Sequence, residues 1–278
     1  MHRRPLDVVV LSDIHLGTYG CKARELLNYL SSIQPNILIL NGDIVDGWQF
    51  SKRFFPVTHM QVIKEIMHFI SNGTRVFYIT GNHDEMLRRY SDMYIGNFTL
   101  TDKLVLEIDD QMVWIFHGDV FDNTTRGSAK IIAKLGSSGY GLLILFNRMV
   151  NSMLGFFGQE RVSISKKVMQ GVNKAVANIN DLEQIATDLA IKKKYDYVIC
   201  GHIHQPDMKT VETTEGKVVY LNSGDWVEHL TALEYNQNAW RIFTYDKKDF
   251  PVSGVPEIKP TLNVITGGIT VRLNSVNF

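Results

Sequence analysis

Arg75-Val76-Phe77-Tyr78-Ile79-Thr80 runs straight into Gly81-Asn82-His83-Asp84. The apolar run reads as a buried β-strand, and the turn after it carries an amide, an imidazole and a carboxylate. The same arrangement recurs on both sides. Asp7–Ser12 leads into Asp13-Ile14-His15, and Ile37–Leu40 into Asn41-Gly42-Asp43. Met112–Phe116 leads into His117-Gly118-Asp119, and Tyr197–Cys200 into Gly201-His202-Ile203-His204. One such junction is an ordinary turn. Five in order place Asp, Asn and His just past strand ends, where they converge on one edge of a sheet.

The intervening segments fix the fold class. Lys22–Ile33 has Leu26, Leu27, Leu30 and Ile33 on one helical face, and a second helix over Val57–Ser71 stops at Asn72-Gly73. Strand, helix, strand, helix, strand implies an α/β protein with a parallel sheet and helices on its faces. Asp109-Asp110 between Leu104–Ile108 and Met112–Phe116 is a hairpin signal, so strands turn antiparallel there. From about Phe121 to Lys194 the strand pattern stops, and Ile164, Val168, Val172, Val176 and Ile179 recur at helical spacing. The expected organisation is a core of residues 1–120 and 195–248, a helical lid over 121–194, and an extension of unassigned role over 249–278.

Composition sets outer bounds. The chain has 278 residues, 45% hydrophobic and 21% charged, with 29 basic and 29 acidic residues. A net charge of zero argues against a polyanion binder, so no nucleic-acid partner is expected. Cys21 and Cys200 match no zinc-ribbon spacing and suit a reduced compartment. Val8–Leu11 is too short for a secretory apolar region, and Leu142–Phe157 is interrupted by Asn147, Arg148, Asn151 and Ser152, so neither a leader nor a span is expected. The expected location is cytoplasmic.

Five of the nine histidines (His15, His83, His117, His202 and His204) fall in the five junctions, interleaved with Asp13, Asp43 and Asn82. Turn formation explains the glycines there but not the repeated imidazoles and carboxylates. Mixed nitrogen and oxygen donors suit two divalent ions such as Mn²⁺, Fe, Co²⁺ or Zn²⁺ better than Ca²⁺ or Mg²⁺, and Mn²⁺ is the ion expected here among those the donors accept. One carboxylate must bridge such a pair, and Asp43, on a strand between the other donors, is the natural bridge.

The order of these motifs resembles the calcineurin-like metallophosphoesterase superfamily over roughly residues 7–235. The resemblance implies a layered β-sandwich flanked by helices, with phosphoester hydrolysis by metal-activated water. It implies that Asp13, His15, Asp43 and His204 hold one metal and Asp43, Asn82, His117 and His202 the other. His83 would lie over the phosphate, with Asp84 orienting it through a hydrogen bond. The helical insertion after His117-Gly118-Asp119, together with Gly224-Asp225-Trp226-Val227-Glu228 and Gly42-Asp43-Ile44-Val45-Asp46-Gly47-Trp48, is similar to the UDP-2,3-diacylglucosamine diphosphatases of lipid A biosynthesis. That similarity implies an acylated UDP-sugar substrate cleaved to UMP and lipid X at the inner membrane surface. Arg126, Lys130, Arg88 and Arg89 are then the cations expected to touch it. Well-known members of that group carry Arg at the position of His83.

The insertion from Phe121 to Asn180 holds eight Lys/Arg against two acids, a net +6, beside the apolar runs Leu142–Phe146 and Met153–Phe157. Basic and apolar together suit a peripheral contact with anionic headgroups and acyl chains. A helical hairpin packed on the main domain with solvated lysines is the plain alternative. Competing functions are a phosphoesterase for another phosphodiester, nucleotide or lipid-linked phosphate, and a metal-free binding protein on the same fold.

Overall fold

The computed structural model describes residues 3–47, 54–121 and 182–250. The lid residues 122–181 and the tail 251–278 therefore lie outside the described residues. Among the described residues, twelve strands form two sheets. The first has seven strands in the order β12 (Ala239–Thr244), β11 (Thr231–Asn236), β1 (Arg4–Leu11), β2 (Ile33–Asn41), β3 (Arg75–Ile79), β5 (Phe98–Thr101) and β4 (Met93–Ile95). The second has five: β6 (Lys103–Ile108), β7 (Gln111–Phe116), β8 (Tyr197–Cys200), β10 (Gly216–Asn222) and β9 (Asp207–Thr213). The neighbours β1–β2, β2–β3, β7–β8 and β8–β10 are parallel, so their carboxyl ends share an edge within each sheet.

Side-chain alternation along the strands builds the layers. Val8 and Val10 face the second sheet and pack with Ile39, Phe77, Ile79, Val113, Ile115, Ile199 and Leu221 between the sheets. Val9 and Leu11 face the other way, onto α1 (Ala23–Ser32) and α2 (Val57–Ser71), through Leu26, Leu30, Val62 and Phe69. A helix over 182–193, at the end of the stretch read as the lid, covers the second sheet's outer face with Leu182, Ala186, Ala190 and Ile191 against Phe116, Val198 and Tyr220. The result is a helix–sheet–sheet–helix sandwich, the layered α/β class expected.

Two boundaries differ from the pattern. Ile33 opens β2 instead of closing α1, because its backbone is already extended and residues 33–35 pair with Arg4–Leu6. β2 therefore begins ahead of the Ile37–Leu40 run and takes in Gln34-Pro35-Asn36. At the other end of β1–β11, the buried Glu234 accepts from Arg4, Arg241 and the Tyr29 hydroxyl, with the shortest contact at 2.6 Å. Among the described residues no helix is long and apolar enough to cross a membrane.

Candidate metal centre

Every junction singled out in the sequence opens on the same edge of the sandwich. β1 ends before Asp13, β2 before Asp43, β3 before Asn82, β7 before His117 and β8 before His202. Ligand sites of open parallel sheets form at such carboxyl edges because the connections leave a crevice there. The backbone is bent to aim the donors: Asp13, His15, Asp43, His202 and His204 all have φ between 51° and 66°. A non-glycine residue in this left-handed region costs about 1 kcal/mol or more, so five together mark a site held against local preference. Hydrogen bonds impose the geometry. His15 N–H donates to Asp43 O (2.9 Å), Asp13 N–H to Gly42 O (3.1 Å) and His202 N–H to Asp13 Oδ2 (3.0 Å). Gly42 is needed for close approach as well as its φ of 80°, since a Cβ there would overlap the His117 ring.

The donors fall into overlapping groups. Asp13, His15 and His204 form one, Asp43, His117 and His202 another, and His15, Asp43 and His83 a third that links the two. Asp13 Oδ1 lies 3.2 Å from His204 Nε2, and the two Nε2 atoms of His15 and His204 face each other at 3.4 Å. Asp43 Oδ2 stands between the groups, 3.9 Å from His15 Nε2 and 3.4 Å from His117 Nε2. His117 Nδ1 donates to the Asn41 carbonyl at 2.8 Å, which leaves the Nε2 lone pair facing the cluster.

Three buried atoms here, Asp13 Oδ1, Asn82 Oδ1 and His117 Nε2, have no hydrogen-bond partner. The short contacts of Asp13 Oδ1 and His117 Nε2 are misaligned for hydrogen bonding. An unmatched buried acceptor costs about 1–3 kcal/mol, and three lone pairs on one cluster are what cations would satisfy. The electrostatics agree. Burial opposes charge on Asp13, Asp43 and His204, yet the oppositely charged groups beside them favour their charged forms. The neighbouring His204 and His117 bring Asp13 down to about 2, while Asp13, Asp225 and Asp43 lift His204 to about 9. Asp43 lies well below the usual carboxylate range beside His117, His15 and His83. A crowded, buried set of carboxylates and imidazoles fits a pair of divalent cations.

His83 borders the cluster, its Nε2 3.9 Å from Asp43 Oδ2 and its backbone N–H on Asp43 Oδ1 at 2.8 Å. The carboxylate paired with its ring is Asp46, whose Oδ2 is 2.8 Å from His83 Nδ1 and 3.3 Å from His15 Nδ1. This corrects the expectation for Asp84. The buried Asp84 accepts from Gly81 N–H, Ile44 N–H and the Tyr78 hydroxyl, so it builds the turn that carries His83 and does not meet the ring. The sequence signal for Asp46 was its place three residues after Asp43 in Gly42-Asp43-Ile44-Val45-Asp46.

The four cations expected at the substrate divide sharply. Arg126 and Lys130 lie outside the described residues. Arg88 is engaged within the fold, donating to Asp119 Oδ2 at 2.9 Å and to the Thr80 hydroxyl at 3.2 Å, a tie between the His83 and His117 turns. Arg89 lines a pocket of about 420 Å³ with Gly47, His83, Glu85 and Met86.

Fold and site together define a metal-dependent phosphoric-ester hydrolase. A family model described as calcineurin-like phosphoesterase matches residues 6–206, and the chain belongs to that family. Among curated relatives, a UDP-2,3-diacylglucosamine hydrolase of Aliivibrio fischeri is 23% identical over 251 residues, covering 88% of this chain and all of that one. Another of that name, from Proteus mirabilis, is 26% identical over 218 residues, covering 76% of this chain and 86% of the relative. Among solved structures, the E. coli phosphoesterase Yfce is similar at 12% identity and a TM-score of 0.42, over 86% of this chain and 93% of that chain.

Proposed function

We propose that this phosphoesterase hydrolyses the diphosphate of UDP-2,3-diacylglucosamine, giving UMP and 2,3-diacylglucosamine 1-phosphate. The observation that carries the chemistry is Asp43 standing between two His/Asp groups beside a carboxylate-paired imidazole. Support for the substrate comes from the names of relatives spanning most of the chain.

In this reading Asp13, His15, Asp43 and His204 hold one cation, and Asp43, Asn82, His117 and His202 the other. Mn²⁺ is the proposed metal. Bound there, two divalent cations neutralise the phosphate and supply water acidified for in-line attack. The chain's residues do the rest. Asp46 fixes the His83 ring through Nδ1, so that Nε2 faces the reacting phosphate. From Nε2, His83 hydrogen-bonds a phosphoryl oxygen or passes a proton to the departing sugar-phosphate oxygen. Arg89, in the pocket next to His83, is placed for the departing phosphate, with Arg126 and Lys130 as further contacts from the lid. The basic, apolar composition of the lid supports work at the cytoplasmic face of the inner membrane on a substrate whose acyl chains it covers.

A second reading, hydrolysis of another lipid-linked or nucleotide phosphoester, is favoured by His83 standing where well-known members of the diphosphatase group carry Arg. An assay in phosphate-free buffer with Mn²⁺ separates the two. UMP release from UDP-2,3-diacylglucosamine far faster than cleavage of an aryl phosphodiester supports the first. Turnover of the aryl ester alone discards the lipid substrate and keeps the phosphoesterase.

A further inference from the structure

The pocket of about 420 Å³ beside His83 holds a charge that phosphate binding leaves unexplained. Its lining is Gly47, His83, Glu85, Met86 and Arg89. His83 and Arg89 suit an anion. Glu85 works the other way, because a carboxylate in the wall of an anion-binding centre repels phosphate. Among the described residues it joins no group able to hold a metal, and it accepts no hydrogen bond. We infer that Glu85 is a specificity-determining residue that accepts hydrogen bonds from the hydroxyls of the sugar carried by the departing phosphate. The inference rests on the reading above and names what binds beyond the cleaved bond.

The pocket lies on the leaving-group side of the reaction. His83 is the residue proposed to protonate the departing oxygen, so what that oxygen carries occupies the space that His83 lines. Glu85, Met86 and Arg89 come from one 3₁₀ turn, Glu85–Tyr90, which begins directly after Asp84. The turn is held in place. Leu87 N–H donates to Asp84 O at 2.9 Å, and Arg88 is tied to Asp119 and Thr80. The Arg89 guanidinium rests 4.7 Å from the centre of the Tyr90 ring. Gly47 adds a wall without a side chain, its N–H on His83 O at 2.9 Å. A Cβ there would lie 2.8 Å from Met86 Cε and 2.9 Å from the His83 carbonyl oxygen, so only glycine lets these two close in.

These groups divide among the parts of a sugar phosphate. Arg89 meets the phosphate, and Met86, 56% exposed, offers an apolar surface to the C–H face of a pyranose ring. The exposed Glu85 takes the hydroxyls, since an O–H donated to a carboxylate is a charge-assisted bond. In 2,3-diacylglucosamine 1-phosphate the 2- and 3-positions carry the acyl groups, which leaves the 4- and 6-hydroxyls for one carboxylate. The same charge disfavours a leaving group that brings a second anion in place of hydroxyls.

The test measures binding by calorimetry to Mn²⁺-loaded wild type, Glu85→Ala and Glu85→Gln. The probes are orthophosphate, UMP, N-acetylglucosamine 1-phosphate and cyclohexyl phosphate, which has a ring but no hydroxyls. Wild type binds the sugar phosphate about 10-fold more tightly than cyclohexyl phosphate, the effect of one hydrogen bond to a charged group. Glu85→Ala erases that preference with metal content and thermal midpoint retained, and its orthophosphate affinity holds or rises because a repelling charge is gone. Glu85→Gln, which keeps an acceptor oxygen, keeps part of the preference. A wild type without the preference, or Glu85→Ala that retains it, overturns the inference. So does a Glu85→Ala that loses affinity for UMP in place of the sugar phosphate, which would put the nucleotide half in this pocket. UMP release from UDP-2,3-diacylglucosamine by the same wild-type preparation judges the substrate reading separately. Its absence counts against that reading, while the sugar-phosphate preference still decides the role of Glu85.

Discussion

The Asp46 carboxylate meets two imidazoles with one oxygen, and this makes its role separable from that of Asp84. Asp46→Asn keeps the shape but loses the charge that holds His83 and His15, so kcat should fall about 100-fold, with metal affinity lowered about 10-fold. Assay across a range of Mn²⁺ separates the two effects: a kcat fully restored by excess metal would leave Asp46 no part in positioning His83. Asp43→Asn is the contrasting case. It removes the charge shared between both donor groups and should abolish turnover together with at least one bound metal, read by elemental analysis. Full activity with both metals retained would refute the bridging role. These residues also show how legible the site was. Each donor stood directly after an apolar strand, so strand ends and motif spacing located it. The Asp46–His83 pair joins residues 37 apart, with Gly47 N–H donating to His83 O at 2.9 Å beside it, a pairing that no local pattern encodes. Adjacency pointed to Asp84 instead, but its side chain turns back onto Gly81 N–H and Ile44 N–H.

Among the elements, the β6–β7 hairpin is the most directly written in sequence, and its turn is under tension. Asp109 and Asp110 have φ of 49° and 62°, the paired left-handed conformation of a two-residue hairpin that favours Asn-Gly or Asp-Gly. Asp109 also accepts from the Tyr235 hydroxyl, so it has a partner to keep. Asp110→Gly should therefore stabilise the protein by up to about 1 kcal/mol, read as a raised denaturation midpoint, and a lowered one would mean Asp110 makes a contact that matters. The β1–β11 pairing tests the opposite property. Burial works against the Glu234 charge, but hydrogen bonds from Arg4, Arg241 and Tyr29 outweigh it and hold its pKa below the ordinary 4.5. A depressed folded pKa contributes stability that is present above 4.5 and lost as pH falls through the folded value. Glu234→Gln should lower stability at neutral pH by about 3 kcal/mol and flatten its dependence on pH below 4.5. An unchanged acid limb would assign acid sensitivity elsewhere. Nothing in the sequence marked Glu234, because its three partners come from β1, α1 and β12.

At the scale of the molecule, the donor cluster joins the two sheets. Asp13, Asp43 and Asn82 follow strands of the first sheet, and His117, His202 and His204 follow strands of the second. Alternating strands and helices foretold a parallel sheet, and the family resemblance a sandwich, but neither said which strands would face each other. The convergent acids and imidazoles carried that information, since only facing carboxyl edges bring them together. The arrangement has a thermodynamic consequence. Ions that bind donors from both sheets bind the folded chain alone, and so stabilise it by mass action, about 2.7 kcal/mol per site at a free-metal concentration 100 times Kd. Removing metal with a chelator should therefore lower the thermal midpoint by roughly 5 °C or more, and adding Mn²⁺ back should restore it. Asp43→Asn, which weakens both donor groups at once, should show little of this response. A wild-type midpoint indifferent to chelator, in protein shown by elemental analysis to have lost its metal, would mean that the core between Val8, Ile39, Ile115 and Ile199 holds the sheets together without help from the ions.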